Sequence, residues 1–136
     1  MKKIEVMLID AHSGRSAILE QALSDAGYRI AIRIVSTDRL LQQVRDIKPD
    51  VILIDIDLPD RDTLEQLRDV GRNQPKPIVM FAERSDPETT AAALRAGVSA
   101  YVVDDLNPRR LKPIMDVAIA RFREYQARRR ELEETR

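Results

Sequence analysis

The sequence predicts an α/β domain: a five-stranded parallel sheet, doubly wound by helices on both faces, with a terminal helix that outruns the domain. Two observations carry this reading. Short runs rich in β-branched residues alternate with stretches of helical period, and most of these runs are continuously apolar, as strands covered on both faces are.

The first strand is read at Ile4 to Ile9, followed by a helix whose apolar face is Ala17, Ile18, Ala22 and Leu23. The second strand, Ile30 to Val35, contains Arg33 and is the most edge-like. Leu40, Leu41, Val44 and Ile47 mark the second helix, Val51 to Ile54 the third strand, and Leu64, Leu67 and Val70 the third helix. Ile78 to Phe81 and Ala100 to Val103 complete the strands, both expected to be covered on two faces. Gly27 and Gly97 suit the left-handed residue that ends a helix. Asp86-Pro87 and Asn107-Pro108 each join a capping side chain to a first-turn proline, opening the fourth and fifth helices. The Ala91-Ala92-Ala93 run in the fourth is either a close-packing surface or simply good helix former.

Five βα units in this length correspond to a flavodoxin-like (βα)5 layout, in which ligands sit beyond the carboxyl ends of the strands. The residues placed there are Asp10, Ala11 and His12, then Asp55 to Asp57, Ala82 and Glu83, and Asp104 and Asp105.

The last helix has no glycine after Asn107 and no proline beyond Pro113, which removes one helical donor near its start. Leu111, Met115, Ala118, Phe122, Tyr125, Arg129 and Leu132 are spaced 4, 3, 4, 3, 4, 3, a heptad seam that predicts a homodimer through this helix. Its early members can pack on the sheet. Residues 1–122 are therefore expected to form the domain and 123–136 a projecting helix, with Arg129 as a polar break in the seam.

Composition narrows the function. Lys plus Arg and Asp plus Glu both number 23, so no global field draws the chain to nucleic acid or an anionic membrane. The absence of cysteine removes disulfides, thiolate metal sites and cysteine nucleophiles, and fits a cytoplasmic protein. The apolar run after Met1-Lys2-Lys3 is too short for a secretory signal, and no segment has the roughly 18 apolar residues of a membrane span.

Asp55 closes the third apolar strand in the run Asp50-Val51-Ile52-Leu53-Ile54-Asp55-Ile56-Asp57-Leu58-Pro59. A carboxylate there, among other acids, can bind a hard cation such as Mg²⁺ and accept a phosphoryl group, or it can simply cap the strand in solvent. This run resembles the phosphorylation-site segment of the receiver (CheY-like) domains of two-component response regulators. So do Asp10, Lys48-Pro49-Asp50, Pro77-Ile78-Val79-Met80 and Ala96-Gly97-Val98-Ser99-Ala100-Tyr101. The resemblance implies that Asp55 is the phospho-acceptor, that Asp10 is an acidic metal-site residue, and that the Asp57 carbonyl helps to hold Mg²⁺. It makes Tyr101 the aromatic switch position and a sensor histidine kinase the partner.

Three departures from the family pattern bear on mechanism. Ala11 stands where a second acidic ligand is expected, so Mg²⁺ binding is expected to be weak; Ala82 replaces the switch Thr or Ser; and Asp104 replaces the Lys that pairs with the phosphoryl group. The site reads as degenerate, with His12 and Glu83 as the available substitute ligands.

Within the receivers, the sequence is similar to the ANTAR-type antitermination regulators of nitrate and amide assimilation. Pro77 to Phe81, Ala96 to Tyr101 and Leu111 to Phe122 carry this similarity. There, a receiver is joined by a coiled helix to a three-helix RNA-binding domain, and the present chain ends within the coiled helix. No direct nucleic-acid binding is therefore expected of these residues. The similarity also implies a nitrate-sensor-like protein as an alternative partner.

Other motifs carry less. Ser13-Gly14-Arg15-Ser16 lacks the spacing of a phosphate loop and reads as a loop and helix start. Arg128-Arg129-Arg130 is followed at once by Glu131, Glu133 and Glu134 and reads as a solvated coiled-coil flank. The expectation is a non-enzymatic signalling receiver, switched by phosphorylation of Asp55 or, as a pseudo-receiver, by protein binding. A Mg²⁺-dependent hydrolase on the same fold and a purely structural dimerisation module are the competitors.

Overall fold

The computed structural model describes residues 2–11, 15–104 and 106–134. His12, Gly14 and Asp105, all considered above, lie outside the described residues. Strands and helices alternate as β1 (Glu5–Asp10), α1 (Ser16–Asp25), β2 (Arg29–Ile34), α2 (Leu40–Ile47), β3 (Val51–Ile56), α3 (Arg61–Asn73), β4 (Ile78–Ala82), α4 (Pro87–Arg95), β5 (Ala100–Val103) and α5 (Pro108–Glu134). All strand pairs are parallel and the order is β2-β1-β3-β4-β5, so the chain is doubly wound as expected.

Side-chain alternation splits the strands between two cores. Val6, Leu8, Val51, Leu53, Val79 and Phe81 meet Leu19 and Leu23 of α1 and Leu111, Met115 and Ala118 of α5. Met7, Ile9, Ile52, Ile54, Ile78 and Met80 meet α2, α3 and α4 through Val44, Leu67 and Ala93. Because every central strand contributes to both cores, its sequence is apolar at consecutive positions instead of every second one.

The helix ends follow local chemistry. Gly27 and Gly97 adopt φ of +87° and +100° after α1 and α4, in the left-handed region that a side chain disfavours. Asp86 accepts a hydrogen bond from the Thr89 backbone N–H at 2.7 Å, and Asn107 accepts one from Arg109 at 3.0 Å. Asp60 does the same for α3, accepting from Thr63 N–H at 2.8 Å, a cap the sequence reading passed over.

β5 is an edge strand that still contributes to both cores, Ala100 and Val102 to one and Tyr101 to the other, but it is only half-buried and Val103 is exposed. Two expectations change. β3 runs on through Ile56, so Asp55 lies within the strand, paired across to Asp10 and Phe81. The heptad seam is divided: Leu111, Met115 and Ala118 are consumed by the domain's own core and are not available to a partner helix. Phe122 is half-buried, and Tyr125 and Leu132 are 58% and 68% exposed. α5 continues unbroken through Pro113 to Glu134.

Candidate functional site

Residues of the same parity on adjacent parallel strands share a face. Asp10 and Asp55, which are register partners, therefore both point from the carboxyl end of the sheet toward the α1 and α5 side, continuing the rows Val6-Leu8 and Val51-Leu53. Asp55 is completely buried, which excludes the reading of a solvated strand cap.

A buried carboxylate needs a partner, and it is supplied by Arg15, the residue just before α1. The guanidinium meets Asp55 side-on: Nε donates to Oδ2 at 3.0 Å, and a terminal nitrogen donates to Oδ1. Both carboxylate oxygens are thus engaged by one planar fork, the strongest pairing geometry available to these side chains. The Arg15 guanidinium is held more firmly protonated than usual, first by its hydrogen bond to Asp55, with the charges of Asp55, Glu83 and Asp10 adding and partial burial opposing. Arg15 is therefore the local counter-ion for three acids.

The remaining candidates fall around this pair. Asp10 Oδ1 is buried and has no hydrogen-bond partner among the described residues. Asp57 directs its carboxylate to Arg84, whose Nε and terminal nitrogen donate at 3.2 and 2.9 Å, while its carbonyl accepts the Arg84 backbone N–H at 2.8 Å. The Arg84 guanidinium is in turn held protonated above its usual range by that contact. Ala82 closes β4 with its backbone carbonyl accepting from Asp104 N–H at 2.8 Å. Asp104 follows β5 at φ +50°, a left-handed conformation unusual for a residue other than glycine. Tyr101 is half-buried against the α2–α3–α4 core, and its hydroxyl donates to Ser85 Oγ at 2.6 Å; Ser85 in turn lies 3.1 Å from Thr90 Oγ1.

The expected Mg²⁺ set of Asp10, Asp55 and Asp57 does not fit a hard cation in this arrangement. Arg15 occupies both oxygens of Asp55, Ala11 offers no side-chain oxygen, and the Asp57 carbonyl already accepts the Arg84 backbone N–H. Among the described residues, no group of three or more His, Asp or Glu side chains could hold a metal.

Sequence reading missed Arg15, Arg84 and Ser85. Ala11 was the available signal for the first: removal of an acid and of its cation leaves Asp55 needing a charge partner, and Arg15 is the first cationic residue after β1. Arg84 and Ser85 carried no signal, because their roles depend on how the β4–α4 turn folds back over β3 and β5.

Comparison with known proteins agrees with this architecture. The family model for the response regulator receiver domain matches residues 6–116. The chain belongs to the response regulator receiver domain family. The receiver shares 30% identity over 123 residues with the transcriptional regulatory protein ZraR of Salmonella typhimurium, covering 90% of this chain and 28% of that protein. It shares 28% over 109 residues with the transcriptional regulatory protein PdtaR of Mycobacterium tuberculosis, covering 80% and 53%. The chain thus spans between about a quarter and half of these relatives. Among solved structures, the receiver domain of a modulated diguanylate cyclase from Desulfovibrio desulfuricans superposes with a TM-score of 0.78 at 21% identity, covering 91% of this chain and 99% of that one. A CheY-like receiver from Methanospirillum hungatei gives 0.77 at 22%, with the same two coverages. These two likenesses bear on the fold.

Proposed function

We propose that this receiver is a non-enzymatic signalling module in which Arg15 stands in for the metal at Asp55, so that the site is degenerate and the domain is switched by a protein partner more readily than by phosphorylation. The observation that carries this is the buried, two-point Arg15–Asp55 pair. A phosphoryl group arriving at Asp55 needs its oxygens free and a cation to neutralise the transferred charge. Here the guanidinium supplies the charge but blocks the oxygens. Asp104, where a lysine would pair with the new anion, adds repulsion.

The output reading rests on resemblance and on α5. Similarity to ANTAR-type regulators supports a role in transcription antitermination, with a nitrate-sensor-like protein or a sensor histidine kinase as partner and RNA bound by a separate output domain. The domain proper is taken as residues 1–122 and the exposed helix beyond it as the connection to that output. Leu132 and the 4, 3 spacing support self-association near the end of that helix. Among the described residues, no helix is long and apolar enough to cross a membrane, and a cytoplasmic setting follows from the signalling role.

The test is intact-mass analysis after incubation with acetyl phosphate and Mg²⁺, using the parent, Arg15→Ala and Asp55→Asn. The proposal expects no phosphoryl gain in the parent, a measurable gain in Arg15→Ala, and none in Asp55→Asn. Full phosphorylation of the parent, lost in Asp55→Asn, would return the protein to the phosphorylation-switched class. Sedimentation at micromolar concentration that finds only monomer would remove the self-association reading.

A further inference from the structure

At the opposite end of the sheet from Asp55 lies a cleft of about 560 Å³ between α3, the chain leading into β4, the turn from α4 into β5, and the far half of α5. It is within the size range of small-ligand sites. Six of its lining residues are cationic, namely Arg68, Arg72, Lys76, Arg95, Arg121 and Arg129, and no Asp or Glu lines it. The rings of Phe122 and Tyr125 form part of its wall, and the Arg129 guanidinium lies 6.0 Å from the centre of the Tyr125 ring. An adjoining groove along α5 adds Arg130 and one acid, Glu133.

This charge is not explained by ordinary surface pairing. Elsewhere on the helices, cations find acids one turn away, as in Arg61–Glu65, Lys112–Asp116 and Arg128–Glu124. Among the described residues, the side chains of Arg68, Arg72, Lys76, Arg95 and Arg121 make no ion pair or hydrogen bond. The cations come from separate chain segments, so their convergence is a product of the fold. The chain as a whole is neutral, with 23 acids to balance 23 cations, and this end of it is locally and strongly positive.

We infer that this cleft binds a nucleotide-class organic polyphosphate, its phosphates held by the arginines and its base against the aromatic wall. Several guanidiniums suit several phosphate oxygens, and an exposed ring beside them suits a planar base. Such a ligand would touch both the body of the domain and the exposed helix beyond Phe122, and so would fix the direction in which that helix leaves. The inference is independent of how Asp55 is used.

The experiment is calorimetric titration of the full chain with ATP, GTP and inorganic tripolyphosphate in about 150 mM salt, where exposed charges are screened beyond about 8 Å. A twelve-nucleotide single-stranded RNA is titrated alongside. ATP or GTP should bind with Kd on the order of 1 mM or tighter, at least several-fold more tightly than tripolyphosphate. The double variant Arg72→Glu/Arg121→Glu should weaken nucleotide binding at least about tenfold, and Arg45→Glu, on α2 and away from the cleft, should leave it unchanged. Tyr125→Ala should weaken nucleotide binding and not tripolyphosphate binding. Arg72→Ala/Arg121→Ala replaces the charge reversal if that protein does not melt as the parent does. The inference fails if neither nucleotide binds at millimolar concentration, if Arg45→Glu weakens binding as much as the double variant, if tripolyphosphate binds as tightly as the nucleotides, or if only the RNA binds.

Discussion

Replacing Arg15 by alanine would leave the Asp55 carboxylate fully buried with both oxygens stripped of donors. Removing one member of a buried ion pair costs about 3–5 kcal/mol, most of it the penalty of the charge left behind. Arg15 is 22% exposed, so water can enter the space it vacates, which discounts the expected loss below that range, to about 2–3 kcal/mol. For a domain of this size, that corresponds to a melting temperature lower by roughly 10 °C and, in urea, a midpoint lower by about 1–2 M. The assay is urea denaturation followed by circular dichroism on the parent, Arg15→Ala, Asp55→Asn and the double variant. Because the two groups are in direct contact, their effects should fail to add, with a coupling of about 1 kcal/mol or more. An Arg15→Ala protein within about 0.5 kcal/mol of the parent, or a coupling indistinguishable from zero, would refute the claim that Arg15 is the resident counter-ion of Asp55.

Other expectations follow from single contacts. The Tyr28 hydroxyl donates to Asp116 at 2.5 Å, and burial, then this bond, push its ionisation above the usual tyrosine range. The neutral phenol is thus favoured by the fold, so its stabilisation is complete below about pH 10, the unfolded value, and is lost as pH rises beyond it. The stability difference between the parent and Tyr28→Phe, about 1 kcal/mol at pH 8, should shrink in urea titrations above pH 10. The Asp60 carboxyl is held below its usual range mainly by the Thr63 N–H, so its stabilisation is present above about pH 4 and lost as pH falls further. Asp60→Ala should cost about 1 kcal/mol at pH 7 and much less near pH 2. Ser85→Ala removes the acceptor of the Tyr101 hydroxyl, and NMR should then find the Tyr101 ring averaging between rotamers; an unchanged single rotamer would show that packing alone holds it. Arg15→Ala should also bind Mg²⁺ more tightly than the parent, by isothermal titration, since it frees both Asp55 oxygens.

The legible part of the fold was the part encoded by local periodicity. Runs such as Val51 to Ile54 and Ile78 to Phe81 must be buried on both faces wherever they lie, and Gly27, Gly97, Asp86 and Asn107 act within one turn of themselves. β5 shows the limit, because the continuous apolar run Ala100 to Val103 does not reveal that the winding order leaves it at an edge and only half-buried. The heptad seam shows it again. One spacing covers both Met115, packed against the sheet, and Leu132, exposed to solvent, and nothing in the spacing marks where the domain ends.

The sequence by itself determined the alternating architecture, the family resemblance, and Asp10 and Asp55 as the acids to examine, because strand period and strand-end position are properties of neighbours along the chain. What surrounds those acids was decided only in three dimensions. Arg15 is 40 residues from Asp55, and the cations of the basal cleft come from α3, the chain leading into β4, α4 and α5. Charges distant in sequence have no local signature; they become partners or stay unpaired only when parallel strands and their crossovers set the helices side by side.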